Sequence, residues 1–289
     1  MPSASSSALD RALRPQTRLT MRFSDSLLMH NRLLQLGKVV NAVGHHLMAL
    51  SFFSCAHAAR EDVNCIIAAA NMRLHLDALE EFELAAAIYA QLLAEPSWEL
   101  SDAQREVVLR KQAEAAAAIE ACRAWPLNRH AQKEDMVQQI TRDSPEVADF
   151  PDGEADQLIM LLRKHGHAAN ESGETSAARQ FFDCAFAVSR APADLLSAAN
   201  MRAKLFEGSA EAEALYHHVS ADDTADERER AVAGRKLEAL NRQRAALAAA
   251  GAAPAADDAL GEAGGVDRAW IFATVLCSPE ESDEDEPER

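Results

Sequence analysis

The sequence predicts an all-α protein assembled from repeated helical modules, and three observations predict it. Of its 289 residues 48% are hydrophobic, enough for a sizeable core, and that content is dominated by Ala and Leu. Aromatic residues are only 5% of the chain, and β-branched residues never form alternating runs, so strands have little to build with. Third, Phe52-Phe53-Ser54-Cys55-Ala56-His57-Ala58 returns 129 residues later as Phe181-Phe182-Asp183-Cys184-Ala185-Phe186-Ala187.

The same displacement carries Gly37 to Gly166, Asn41 to Asn170, Gly44 to Gly173, and Ala69-Ala70-Asn71-Met72-Arg73 to Ala198-Ala199-Asn200-Met201-Arg202. Beyond these the register slips, matching Tyr89 to Tyr216 and then Arg105-x-Val107-x-x-Arg110-Lys111 to Arg230-x-Val232-x-x-Arg235-Lys236. Small slips between matched helices belong in loops. The chain therefore reads as a duplication: a basic arm over 1–22, one module over 23–143, a second over 144–250, and a linker with a tail over 251–289. A stretch from about Ala124 to Asp156 joins the two copies.

Helix starts are marked by side chains able to occupy orphaned backbone N–H groups. Ser101-x-x-Gln104 and Thr224-x-x-Glu227 have the capping-box spacing, so long helices are expected to begin near Asp102 and Ala225. Past Ala250 the run GAAPAADDALGEAGG buries nothing and reads as a flexible linker.

Within each copy a shorter period appears. Leu33-x-x-Leu36-Gly37-x-x-Val40 followed by Ala49-x-x-x-Phe53-x-x-Ala56 has a small residue four before an aromatic, and Ala85-x-x-x-Tyr89 with Pro96 continues it. The second copy has Ala178-x-x-x-Phe182-x-x-Ala185 with Pro192, then Ala212-x-x-x-Tyr216-x-x-Val219. Residues three and four apart share a helix face, so the small residue admits a neighbouring helix and the aromatic fills the space beside it. This pattern resembles the tetratricopeptide repeat, over roughly Phe23 to Gly251, with His165 standing where that family usually has Leu. The resemblance implies a right-handed superhelix whose first helices line a concave, protein-binding surface.

On those first helices fall the candidate binding residues: Asn71, Arg73, Arg110 and Lys111 in the first copy, and Arg163, Asn200, Arg202, Arg235 and Lys236 in the second. Members of the family that grip an acidic carboxyl terminus clamp it with Lys, Asn and Arg from three successive first helices. Asn71 looks like the second-helix Asn, and Arg110 with Lys111 looks like the third-helix bases. The first-helix element departs from the pattern, with Leu34 and Lys38 in one copy and Arg163 and His167 in the other. The same residues also read as ordinary first-helix sequence, with Asn bonding a neighbour and Arg solvated above an apolar stem. A groove holding Arg and Lys in an acidic chain suits an acidic peptide from another protein.

The net charge of −17 is unevenly distributed: Glu280 to Arg289 sets seven acids against one Arg and alone contributes −6. That tail is one candidate occupant of the groove, reaching Arg202, Arg235 and Lys236 across the linker, with Ser282 as a phosphate acceptor in acidic surroundings. No dense Lys/Arg cluster occurs, so no nucleic-acid partner is expected, and no run of about 18 uncharged apolar residues offers a membrane span. Trp270-Ile271-Phe272-Ala273-Thr274-Val275-Leu276 is too apolar to be simply solvated and reads as a cap on the last repeat, or else as a docking motif.

Five scattered cysteines without a C-x-x-C pair fit a reducing compartment, hence a cytoplasmic protein. The Ser- and Arg-rich segment Met1 to Arg22 has the composition of a transit peptide, which makes a mitochondrion or plastid the alternative. Ten histidines include His165-x-His167, which points to two faces of a helix, and there is no H-E-x-x-H, so neither a metal nor a cofactor is expected. No phosphate-cradling Gly loop, G-x-S-x-G or singled-out carboxylate pair is present. The expected function is a non-enzymatic interaction scaffold. A structural subunit held by its helical surface, or a helical enzyme of unfamiliar type, are the alternatives.

Overall fold

The computed structural model describes residues 22–76, 78–124, 153–205 and 209–251. Among them lie ten α-helices, one short 3-10 helix over Pro96–Trp98, and no strand. The helices are α1 (Phe23–Ala42), α2 (His46–Ala59), α3 (Val63–Arg73), α4 (Leu79–Ala94), α5 (Asp102–Ala124), α6 (Glu154–Glu171), α7 (Thr175–Ser189), α8 (Pro192–Lys204), α9 (Ser209–Ala221) and α10 (Glu227–Gly251). The basic arm over 1–21, most of the joining stretch, Trp270–Leu276 and the acidic tail lie outside the described residues. No described helix is long and apolar enough to cross a membrane. The chain divides into two units after Leu240, and of the second only the end of α10 is described.

The turns after α1 and α6 share one construction. After α1, His45 N–H reaches Val40 O at 2.9 Å and Gly44 N–H reaches Asn41 O at 3.0 Å, with Gly44 at φ +82°. After α6, Glu174 N–H reaches Ala169 O at 2.8 Å and Gly173 N–H reaches Asn170 O at 3.1 Å, with Gly173 at φ +81°. Both are Schellman caps, and the left-handed residue is Gly because a Cβ is strained there.

Each turn folds its second helix back on the first, and the contact is made by a ring on a bare backbone. A Cβ added at Gly37 would stand 2.7 Å from Phe53 Cε1, and one added at Gly166 would stand 2.9 Å from Phe182 Cε1. Glycine at these two places is what lets α1 approach α2, and α6 approach α7. Phe53, Phe182, Tyr89 and Tyr216 are all buried, as the small-then-aromatic spacing predicts.

Consecutive helices are spatial neighbours from α1 through α5 and again from α6 through α9. One buried cluster joins α1, α2, α3, α6, α7 and α8, with Met29, Leu33, Phe52, Leu162, Phe181 and Met201 among its members. A second, holding Phe82, Tyr89, Leu92 and Val108, binds α3, α4 and α5. A third, holding Leu195, Leu215, Tyr216 and Ala233, binds α8 and α9 to the start of α10. The two helix sets meet where α2 packs on α7 and α1 on α6. At that junction Cys184 Sγ lies 3.7 Å from Cys55 Sγ, both thiols fully buried, and Arg32 pairs with Glu154.

One expected cap stands and one moves. Ser101 Oγ accepts Gln104 N–H at 3.3 Å and Gln104 Oε1 accepts Ser101 N–H at 2.9 Å, so the box before α5 forms as read. Before α10 the box is instead Asp226-x-x-Glu229: Asp226 Oδ1 accepts Glu229 N–H at 2.7 Å and Glu229 Oε2 accepts Asp226 N–H at 2.8 Å. Thr224 is taken by Asp222, whose Oδ1 accepts both its N–H (2.8 Å) and its hydroxyl (2.7 Å). The Thr224 hydroxyl holds the Asp222 carboxyl below its ordinary range, and α10 starts at Glu227 rather than Ala225.

Candidate functional site

The Asn residues expected on a groove wall are anchored from within the fold. Asn71 Oδ1 accepts the Tyr89 hydroxyl at 2.8 Å, and Asn200 Oδ1 accepts the Tyr216 hydroxyl at 2.9 Å. The bonds tie α3 to α4 and α8 to α9, the two helices of one pair in each case, and burial pushes both phenols well above their usual range. The amide nitrogen of each Asn remains for a second contact.

The arginines that follow are not equivalent. Arg73 ion-pairs with Glu81 at the start of α4, with its side chain mostly buried. Arg202 is 1% exposed, which takes it off any groove surface. Its Nη1 and Nη2 donate to the two carboxylate oxygens of Asp183 at 2.6 and 2.9 Å, and its Nε lies 3.5 Å from Glu211. Burial opposes that charge, and the Asp183 carboxylate more than offsets it, so the Arg202 pKa rises. Arg202 is thus corrected from a binding residue to a buried pair, because only a fixed bidentate carboxylate compensates a guanidinium removed from water. The signal was present in the sequence: Asp183 is a lone acid inside the apolar run FFDCAFA.

Half-buried Arg179 stands in the same neighbourhood. Burial and then the adjacent Arg202 push its pKa down, against the opposing carboxylates of Asp183, Glu211 and Glu81.

The remaining cations are closer to solvent. Arg110 and Arg235 are exposed on α5 and α10, Lys111 donates to Glu114 at 2.8 Å, and Lys236 is half-buried. Arg163 is partly exposed and makes a bidentate bond to buried Asp194, at 2.7 Å for each oxygen, which raises its pKa. It lines an open depression of about 490 Å³ together with Asp156, Ile159, Met160, Ser189 and Ala191.

A further constellation joins α1 to the start of α3. An imidazole nitrogen of His30, a carboxylate oxygen of Asp62 and the Cys65 sulfur lie within 4.8 Å of one another. Asp62 is the N-cap of α3, its Oδ1 accepting Asn64 N–H at 2.8 Å. His30 and Cys65 are buried, and burial, with help from the Asp62 charge, pushes the Cys65 thiol up to about 12. His57 sits behind, its Nδ1 accepting Asp62 N–H at 3.2 Å, and burial pushes its pKa down. No spacing in the sequence marks this group, because its members come from two helices separated by all of α2.

Compared with models of known families, with curated proteins and with solved structures, the chain matches none.

Proposed function

We propose that this chain is a non-enzymatic interaction scaffold of tetratricopeptide type, built by internal duplication, that binds an acidic peptide segment through the cations of α5 and α10. The observation that carries this reading is the placement of Arg110-Lys111 and Arg235-Lys236. The same pair recurs on the helix that ends each set, with the Arg exposed in both. In a chain of net charge −17 such cations attract acidic segments and orient them. The duplication is supported by matched structural details: two Schellman turns, two Gly-on-Phe contacts and two Tyr-to-Asn bonds. Since the sets meet through α2 and α7, the right-handed stacking proposed here runs within each module.

A second reading, a structural subunit held by its helical surface, is favoured by Val39 near the end of α1 and Val43 at its C-cap, both about half exposed.

The test uses a fluorescent peptide of sequence EESDEDEPER, the chain's own tail, and a protein lacking Pro279 to Arg289. Binding read by anisotropy should weaken as salt rises, and Arg110→Glu with Lys111→Glu, or Arg235→Glu with Lys236→Glu, should each weaken it. Helical content and melting should not change. Binding indifferent to both charge reversals would remove α5 and α10 from the site.

A further inference from the structure

An imidazole nitrogen and a carboxylate oxygen face one another between α1 and α3. His30 Nδ1 lies 3.1 Å from Ala56 O, and a carbonyl only accepts, so Nδ1 carries the ring proton. In the neutral imidazole the Nε2 lone pair then points outward, and what it meets is Asp62 Oδ2 at 3.5 Å. The other Asp62 oxygen is already committed to the Asn64 backbone and side-chain N–H groups. Two lone pairs at that separation in a largely buried place repel unless something positive lies between them. Cys65 supplies a third donor atom within 4.8 Å of both.

We propose that His30 Nε2, Asp62 Oδ2 and Cys65 Sγ bind one zinc ion. Imidazole, thiolate and carboxylate together are the donor set that zinc takes, with bonds of about 2.0–2.3 Å. Two such ligands on one tetrahedral ion stand about 3.3–3.5 Å apart, which matches the His30 to Asp62 separation of 3.5 Å. The His30 Nδ1–H bond to Ala56 O is the outer contact that a zinc-bound imidazole characteristically makes. His57 and Asn64 hold Asp62 in place from its two sides. On binding, the Cys65 S–H bond breaks, its proton leaves to solvent and a zinc–sulfur bond forms, with no change of oxidation state.

Three protein ligands leave a fourth position for water or an external donor. The ion cross-links α1 to the start of α3 across α2. The same places displaced by 129 residues hold Ile159, Ala191 and Asp194, so the stoichiometry is one ion per chain.

The experiment is calorimetric titration of zinc into the untagged full-length protein after chelation. One equivalent should bind and raise the melting temperature. Cobalt should give a near-ultraviolet sulfur-to-metal band that Cys65→Ser abolishes and Cys122→Ser keeps. His30→Gln and Asp62→Asn should each weaken zinc by at least the about 10–100-fold that losing even a supporting contact costs. Should Cys65→Ser fail to fold, X-ray absorption of the wild-type zinc form must still show one sulfur at about 2.3 Å. Absence of stoichiometric binding, a band that survives Cys65→Ser, or nitrogen and oxygen scatterers alone would each overturn the proposal. The pair is then an imidazolium–carboxylate contact.

Discussion

Phe182 is 2% exposed and its ring edge lies where a Cβ on Gly166 would stand, 2.9 Å from Cε1 and 2.9 Å from Cζ. Gly166→Ala should therefore carry an overpacking cost of about 1–3 kcal/mol, because an enclosed ring cannot yield without disturbing α7. Against it runs the helix preference of Ala over Gly, about 1 kcal/mol. Phe182→Ala should cost about 3–5 kcal/mol through lost burial and the cavity left behind. In that background the clash is gone and the added methyl enters the void. Gly166→Ala should then stabilise, by about 1 kcal/mol. The helix-preference contribution cancels in the double-mutant cycle, so the coupling energy reports the contact alone and should be about 1–3 kcal/mol. Urea unfolding followed by far-ultraviolet circular dichroism supplies all four stabilities, and Phe182→Leu replaces the Ala variant if it unfolds. Additivity to within about 0.5 kcal/mol would refute the claim that the ring sets the approach of α6 to α7.

Three further outcomes are expected. Burial, aided by Lys164, depresses the His165 pKa to about 4 from an ordinary 6.5, so the unfolded chain takes up the proton first as pH falls. Stability should thus drop between about pH 6.5 and 4 by up to about 3 kcal/mol and level off below, and a His165→Leu variant with an undiminished pH slope would contradict this. Arg202→Met should cost about 3–5 kcal/mol by stranding the Asp183 charge, and Asp183→Asn added to it should restore much of the loss; equal melting of single and double variants would show that the pair is not coupled. Asp226→Ala should cost about 1 kcal/mol and Thr224→Ala distinctly less, since only Asp226 caps α10; the reverse order in thermal melts would return the cap to Thr224.

What could be read from the sequence was what neighbours along a helix decide. The Ala49-to-Phe53 and Ala178-to-Phe182 spacings place each residue on a shared face, and that face does the packing. Ser101 and Gln104 cap α5 because both ends of that interaction lie within four residues. The Thr224 reading failed by two residues because Asp222, upstream of the box, competes for the same hydroxyl and N–H.

Helical periodicity alone puts Arg202 on a surface, because it says which residues share a face but not what that face meets. Its partner is 19 residues earlier on α7, and that crossing decides its burial. His30, Asp62 and Cys65 were invisible for a related reason. Ligand spacings in a sequence describe a single loop or helix, whereas this group needs α2 in place before α1 and α3 come together.

Burial of the Arg202 pair also sorts the molecule's ion pairs by their sensitivity to the surrounding electrolyte. Arg123 with Glu83 and Glu120 sits in water, where mobile ions at physiological strength damp attraction beyond about 8 Å. Arg202 and Asp183, 1% and 3% exposed at the side chain, leave no room for such ions to enter. Concentrated salt should loosen the α5-to-α4 edge while leaving the α7-to-α8 seam at full strength, so these two electrostatic joints answer differently to the medium.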